Sequence, residues 1–282
     1  MNIPPPVYRD MSQAELDASY DNSKAVANSS ALMAGFESLS QVTRQLPGVQ
    51  IGLRYGPAAR NLIDYFPAPG VGPLLVFIHG GYWQMRAKES FSFLADAFLA
   101  HGIHVATVGY TLAPQATLGE IVQEVRSAVQ WLSGQAEPLG IDTSKIVVSG
   151  WSAGGHLTAM CMDLPEVFAG LAVSGIYDLE PIRLSYLNEK LQLKPEDVGA
   201  LSPMHLALCP KPMLIAYGGD ELSELQRQSQ DFFALRKQHG LPGGLLALPG
   251  VNHFTILSEM GKSHGVITQS VVELLGNATA SG

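Results

Sequence analysis

The chain has 282 residues, 46% of them hydrophobic and 15% charged, enough to bury a large core in a compact, enzyme-sized domain. Its formal net charge of −8 argues against a nucleic-acid partner and against an anionic membrane surface. Met1-Asn2-Ile3-Pro4-Pro5-Pro6 lacks the basic flank and apolar centre of a signal peptide, and no later apolar run is free of Gly, Pro or charge for the length of a bilayer, so a cytoplasmic protein is expected.

Residues 8–40 carry no strand signal. Ser12-Gln13-Ala14-Glu15 followed by Leu16 has the form of a capping box, and Ala25 to Phe36 can form a second helix. Val49 to Tyr55 and Asn61 to Phe66 alternate apolar and polar with period two, separated by Gly56-Pro57, which predicts an antiparallel start to a sheet. From there the period changes. Leu74 to Ile78 and His104 to Val108 are near-continuous apolar runs, as expected of strands covered on both faces. Between them, Lys88 to Ala100 puts Phe91, Leu94, Ala95, Phe98 and Leu99 on one helical face, and Leu118 to Leu132 repeats the pattern.

Ile146-Val147-Val148 then predicts a buried strand, with a helix continuing through His156 to Met162. Later strands are predicted at 170–174, 213–217 and 245–248, and helices near 225–239 and 263–275. Alternating strands and helices imply an α/β fold: a mainly parallel central sheet with helices on both faces. No repeat, low-complexity tract or linker divides the chain. The expected division is an N-terminal helical segment (1–48), a catalytic domain (49–276) and a frayed tail (277–282). Whether the first segment caps the pocket or packs away from it is left open. Cys161 and Cys209 sit in apolar surroundings and read as buried free thiols.

The chemistry collects where strands end. Gly150-Trp151-Ser152-Ala153-Gly154 is a G-x-S-x-G pattern with an apolar strand before it and a helix after it, the setting of a nucleophile elbow. The strand ending at Ile78 opens into His79-Gly80-Gly81-Tyr82-Trp83, a Gly-rich turn able to aim main-chain N–H groups at an oxyanion. Gly81, Tyr82 and Ala153 are the candidate donors, and His79 reads as a brace rather than a base. The strand ending at Tyr217 opens into Gly218-Gly219-Asp220-Glu221, and the last strand opens into Gly250-Val251-Asn252-His253. Serine, then acid, then histidine is the chain order of an α/β-hydrolase triad: Ser152 as nucleophile, His253 as base, and a carboxylate to orient the imidazole. Glu221 is the preferred acid, Asp220 its main rival, with Asp178 and Glu224 less favoured.

Four stretches carry a family resemblance: His79-Gly80-Gly81-Tyr82-Trp83-Gln84, Tyr110 to Gln115, Gly150 to His156, and Gly175-Ile176-Tyr177-Asp178-Leu179-Glu180-Pro181. Together they resemble the kynurenine formamidases (arylformamidases), which belong with the hormone-sensitive-lipase-like esterases. The likeness continues through Ser202-Pro203, Glu224 to Ser229 and Asn252-His253-Phe254. It implies an α/β-hydrolase fold, Ser152 and His253 in the roles above, and Gly81, Tyr82 and Ala153 as oxyanion donors. Aligned on Glu224 to Ser229, the family's acid, often Asp, falls at Glu221, a departure that keeps Asp220 open. The resemblance implies no metal or organic cofactor, in keeping with the absence of Cys/His ligand spacing. The expected activity is serine hydrolysis of an N-formyl aryl amide, with short-chain esters as the alternative and a non-catalytic binding protein as a remote third reading. Trp83 and Tyr177, with Tyr82, could stack on an aryl group or could be core aromatics. The expected partner is a small ester or formamide, with no nucleic acid or membrane, and homodimer formation is left open.

Overall fold

The computed structural model describes residues 5–277, and the expected tail beyond Asn277 lies outside them. Eight strands form one sheet: β1 (Gln50–Arg54), β2 (Leu62–Phe66), β3 (Gly72–Ile78), β4 (His104–Val108), β5 (Ile141–Trp151), β6 (Ala169–Val173), β7 (Met213–Gly218) and β8 (Gly243–Leu248). Their order is β1-β2-β4-β3-β5-β6-β7-β8; β1, β2 and β4 pair antiparallel, and every other pair is parallel. This is the mainly parallel α/β architecture expected from the alternation of strands and helices.

The apolar runs are continuous because both faces of the central strands are covered. Side chains alternate across a strand, so Leu74, Val76 and Ile78 of β3 join one core while Leu75 and Phe77 join the other. β5 does the same with Ile146 and Val148 against Val147 and Trp151. Full burial of each such side chain contributes roughly 1.5–3 kcal/mol.

The order reverses at β3, which has β4 on one side and β5 on the other. At such a switch point the two neighbouring connections leave in opposite directions and open a crevice beyond the carboxyl ends of the strands. Ile78 of β3 is in register with Gly150 of β5, so the His79 turn and Ser152 emerge side by side at that crevice.

Several boundaries differ from the sequence expectation for physical reasons. Lys88 to Ala100 is not one α-helix but a 3-10 helix (Lys88–Leu94) running into a short α-helix (Ala95–Leu99). Within it the Phe93 N–H donates to Ser40 Oγ at 3.1 Å rather than to its own helix. β2 was expected to alternate, yet Ile63 to Phe66 are all buried, Asp64 included. That carboxylate pairs with Arg44, with Lys88 Nζ at 2.7 Å and with the Gly52 N–H at 2.8 Å, which removes the penalty an unpartnered buried charge would carry. β1 is an edge strand without a buried residue. Three short helices between β6 and β7 (Glu180–Leu184, Asn188–Leu191, Pro195–Leu201) have no periodic signal and were not expected.

The N-terminal segment holds α1 (Gln13–Ala18), α2 (Asn22–Ala25) and α3 (Ser29–Thr43). The Ser12/Glu15 capping box is formed as expected, whereas the second predicted helix starts four residues later and runs longer. No helix of the described residues is long and apolar enough to cross a membrane. Both cysteines are free; Cys161 is buried, and burial pushes its thiol up to about 12, which leaves it unreactive near neutral pH.

Candidate active site

Ser152 stands between β5 and the helix Ala153–Ala159 with φ 59° and ψ −119°, a conformation disfavoured for a residue with a Cβ. Its own N–H donates to the Val173 carbonyl at 2.8 Å, and its carbonyl accepts from Gly155 and His156, so the turn is held from both sides. Two glycines make the crossing possible. A Cβ on Gly150 would lie 2.2 Å from the Gly154 carbonyl oxygen, and one on Gly154 would lie 2.0 Å from that of Ile78. Any side chain at either position would push helix and strand apart.

The acid and the imidazole arrive from the loops after β7 and β8. Gly218 ends β7 where a Cβ would meet the Val251 carbonyl at 2.1 Å, and the Asp220 N–H donates to that carbonyl at 3.0 Å. Packed this closely, the two loops bring the His253 Nδ1 to 3.1 Å from Glu221 Oε2. A carboxylate oxygen can only accept here, so Nδ1 is the nitrogen that carries a proton, which leaves Nε2 as the lone-pair nitrogen of the neutral ring. The other oxygen, Oε1, accepts from Ser174 Oγ at 2.6 Å and from the Gly218 N–H at 2.7 Å. Ser174 is a buried residue at φ 52° that the sequence reading did not single out; its only signal was its place at the end of β6. The imidazole also rests on Trp151, 4.9 Å between ring centroids, and the Trp151 Nε1–H donates to the His253 carbonyl at 2.8 Å.

The rival carboxylates lie elsewhere. Asp220 points to solvent. Asp178 accepts from Tyr8 Oη and the Glu180 N–H, and Glu224 is held by Arg227 and Tyr20. Ser152 and His253 are each 2% exposed, so both side chains are largely shielded from solvent.

The Gly-rich turn faces the serine at close range, since a Cβ on Gly80 would lie 3.0 Å from that of Ser152. Its backbone is strained, with positive φ at Gly81 (107°), Tyr82 (48°) and Trp83 (59°). Among the described residues the Gly81 and Tyr82 N–H groups donate to no protein acceptor, and Ala153 is the first residue of its helix, where the N–H has no intrahelical partner. These three groups remain able to bind an anion.

Trp83 and Tyr177 do not present an aryl-stacking face. Both are wholly buried: Trp83 meets His156 edge-on at 5.0 Å, and Tyr177 stacks on Phe232 at 4.4 Å. The Tyr82 ring is buried as well. An isolated aromatic beside a site motif is usually drawn into the core because its area dominates packing.

His79 is buried against Tyr110, at 4.2 Å, and its Nδ1–H donates to the Gly80 carbonyl at 2.8 Å. Burial pushes its pKa down to about 3, and that of His156 to about 4. Each has one ring nitrogen without a partner, so protonation would strand a charged N–H in the core. Folded pKa values below the ordinary 6.5 mean that the unfolded chain binds these protons first. The stabilisation is therefore complete above about pH 6.5 and is lost as pH falls towards about 3–4. At pH 5 each histidine is expected to cost about 2 kcal/mol relative to pH 7.5. Chemical denaturation across that range, with His156→Gln as comparison, checks this: the variant should lose about that much of the pH slope, and an unchanged slope would show that His156 is not the buried neutral group.

The chain is similar to known hydrolases in sequence and in fold. The family model of the prolyl oligopeptidase family matches residues 119–272, more than half of the chain, and a second model, BD-FAE, matches residues 65–165. A kynurenine formamidase of Danio rerio is 28% identical over 299 residues, covering 96% of this chain and 99% of its own. A solved structure from Silicibacter sp. TM1040, provisionally described as a thioesterase, is 26% identical with a TM-score of 0.82, covering 92% of this chain and 99% of its own. A Pyrobaculum calidifontis esterase, 20% identical with a TM-score of 0.69 over 90% of this chain and 96% of its own, shares the fold. The chain therefore belongs to the prolyl oligopeptidase family and is a serine hydrolase of the α/β-hydrolase fold, similar along nearly its whole length to a kynurenine formamidase.

Proposed function

We infer that the protein is an arylformamidase that cleaves N-formylkynurenine or a related N-formyl aryl amide through an acyl-enzyme. The observation that carries the mechanism is the Glu221–His253 hydrogen bond of 3.1 Å, with the imidazole packed on Trp151, the residue that precedes the strained Ser152. With Nδ1 protonated, His253 offers Nε2 as the base that takes the Ser152 proton. The Ser152 oxygen attacks the formyl carbon, and the oxygen of the tetrahedral intermediate draws on the N–H groups of Gly81, Tyr82 and Ala153. Donors of this kind are each worth about 2.7–4 kcal/mol in the transition state. The imidazolium, stabilised by Glu221, returns its proton to the departing aryl amine. Water then repeats the sequence on the formyl-serine and releases formate.

The choice of acyl group rests on two supports. The likeness to the Danio rerio kynurenine formamidase extends over nearly the whole chain. The serine is 2% exposed, which suits an acyl group whose only substituent is hydrogen. A hydrophobic pocket separates substrates by about 1–3 kcal/mol per methylene, so a site shaped for formyl should lose efficiency steeply as the acyl chain grows. Comparison of kcat/KM on N-formylkynurenine, p-nitrophenyl acetate and p-nitrophenyl butyrate tests this. The expected order is formamide above acetate above butyrate, allowing for the better leaving group of the esters; negligible formamide turnover beside brisk ester hydrolysis would make the protein a short-chain carboxylesterase instead.

A further inference from the structure

The Gly-rich turn holds two non-glycine residues in succession at positive φ, Tyr82 and Trp83. Such a conformation persists only where surrounding contacts over-determine it. Part of the restraint is local: the Gln84 and Met85 N–H groups donate to the Gly81 carbonyl at 2.9 and 3.1 Å, and the Ala113 N–H donates to that of Trp83 at 2.8 Å. The rest comes from a distant part of the chain. The Tyr82 hydroxyl donates to the Tyr20 carbonyl at 2.7 Å and accepts from Asn22 Nδ2 at 2.9 Å. Burial holds this phenol well above its ordinary pKa, so it stays a donor throughout the working pH range.

Tyr20 is fully buried and reaches a second loop at the same time. Its hydroxyl donates to Glu224 Oε2 at 3.2 Å and accepts from Gln228 Nε2 at 3.1 Å, both on the helix that begins two residues after Glu221. Gln228 in turn accepts from the Tyr177 and Asp178 N–H groups and donates to the Asp178 carbonyl, on the loop after β6. Residues 20–22 thus join the turn that carries the Gly81 and Tyr82 N–H groups to the helix behind the carboxylate that faces His253.

We propose that Tyr20 and Asn22 are positioning residues: through the Tyr82 hydroxyl they hold the oxyanion-binding turn in register with Ser152. This rests on the reading of the Gly81 and Tyr82 amides as oxyanion donors. It gives the N-terminal segment a part in catalysis that does not depend on its covering the substrate. Binding the neutral substrate draws little on the turn, whereas the tetrahedral oxyanion draws on it fully, so a loosened turn should reduce transition-state binding selectively.

The test compares Tyr82→Phe, Asn22→Ala and Ser152→Ala with the parent, measuring kcat, KM and inhibition by an aryl trifluoromethyl ketone, which forms a tetrahedral oxyanion on the serine. A displacement of the turn by about 1 Å is expected to cost up to about 100-fold. Tyr82→Phe should therefore lower kcat by about 10- to 100-fold, with KM within about threefold and the ketone weakened in proportion to kcat/KM. Asn22→Ala should move all three quantities in the same direction by a smaller factor. Should Tyr82→Phe not fold, Asn22→Ala decides by the same proportionality. Activity within twofold of the parent, or a loss of activity with ketone affinity unchanged, would overturn the positioning role while an inactive Ser152→Ala left the serine mechanism standing. Full activity in Ser152→Ala would overturn both.

Discussion

Ser152→Ala is expected to lower kcat on any substrate of this protein by about 10⁶-fold and to abolish covalent labelling by a fluorophosphonate probe. The expectation follows from the geometry of the elbow. With the Oγ gone, the imidazole has nothing to activate, and what remains is the weak catalysis that binding and backbone donors supply alone. The fold should survive, because the bonds that hold the turn involve the backbone N–H and carbonyl of residue 152 rather than its side chain. Ser152→Gly separates the two roles of the residue. It should be as inactive as the alanine variant yet gain stability on the order of 1 kcal/mol, since glycine accepts φ 59° and ψ −119° without the cost a Cβ carries. Labelling that persists in Ser152→Ala would move the nucleophile to another residue.

Glu221→Gln is expected to reduce kcat by about 10⁴-fold at pH 7, with only a modest change in KM. Glutamine preserves size, and its amide oxygen would keep the Oε1 place, where Ser174 Oγ and the Gly218 N–H already donate. That places the NH₂ group opposite His253 Nδ1. Two donors cannot share one hydrogen bond, so the imidazole must shift its proton to Nε2, where it can no longer accept from serine. Asp220→Asn is the paired control, and as an exposed side chain it should leave kcat within about twofold. If Asp220→Asn were the damaging change and Glu221→Gln the silent one, the assignment of the acid would be reversed.

Buried strands could be found in the sequence because full burial imposes long apolar runs, and helices because their apolar residues recur at fixed intervals. The exceptions share a cause. Asp64 looked like the outward position of an alternating strand, but Arg44 and Lys88, 20 and 24 residues away, neutralise it inside the fold. Lys88 to Leu94 had helical periodicity, but Ser40 from α3 took the Phe93 N–H. In both places a partner distant in sequence overrode a local pattern.

The candidate site divides in the same way. Strand, glycine spacing and break around Ser152 are local properties, since only small residues at 150 and 154 let that helix leave that strand, and so the elbow was readable from eleven consecutive residues. Which of two adjacent carboxylates meets His253 was readable only as a preference for Glu221 over Asp220, because neighbours in a turn point in different directions and the choice depends on Ser174, Gly218 and Val251 from three separate elements. The burial of Trp83 and Tyr177 was not readable, nor was the reach of residues 20–22 to Tyr82 and Gln228. The sequence alone determined which elements form and where chemistry-bearing residues fall along them, because those depend on neighbours within a few positions. Only the tertiary structure decided which side chains face one another, because that depends on contacts between residues tens to hundreds of positions apart.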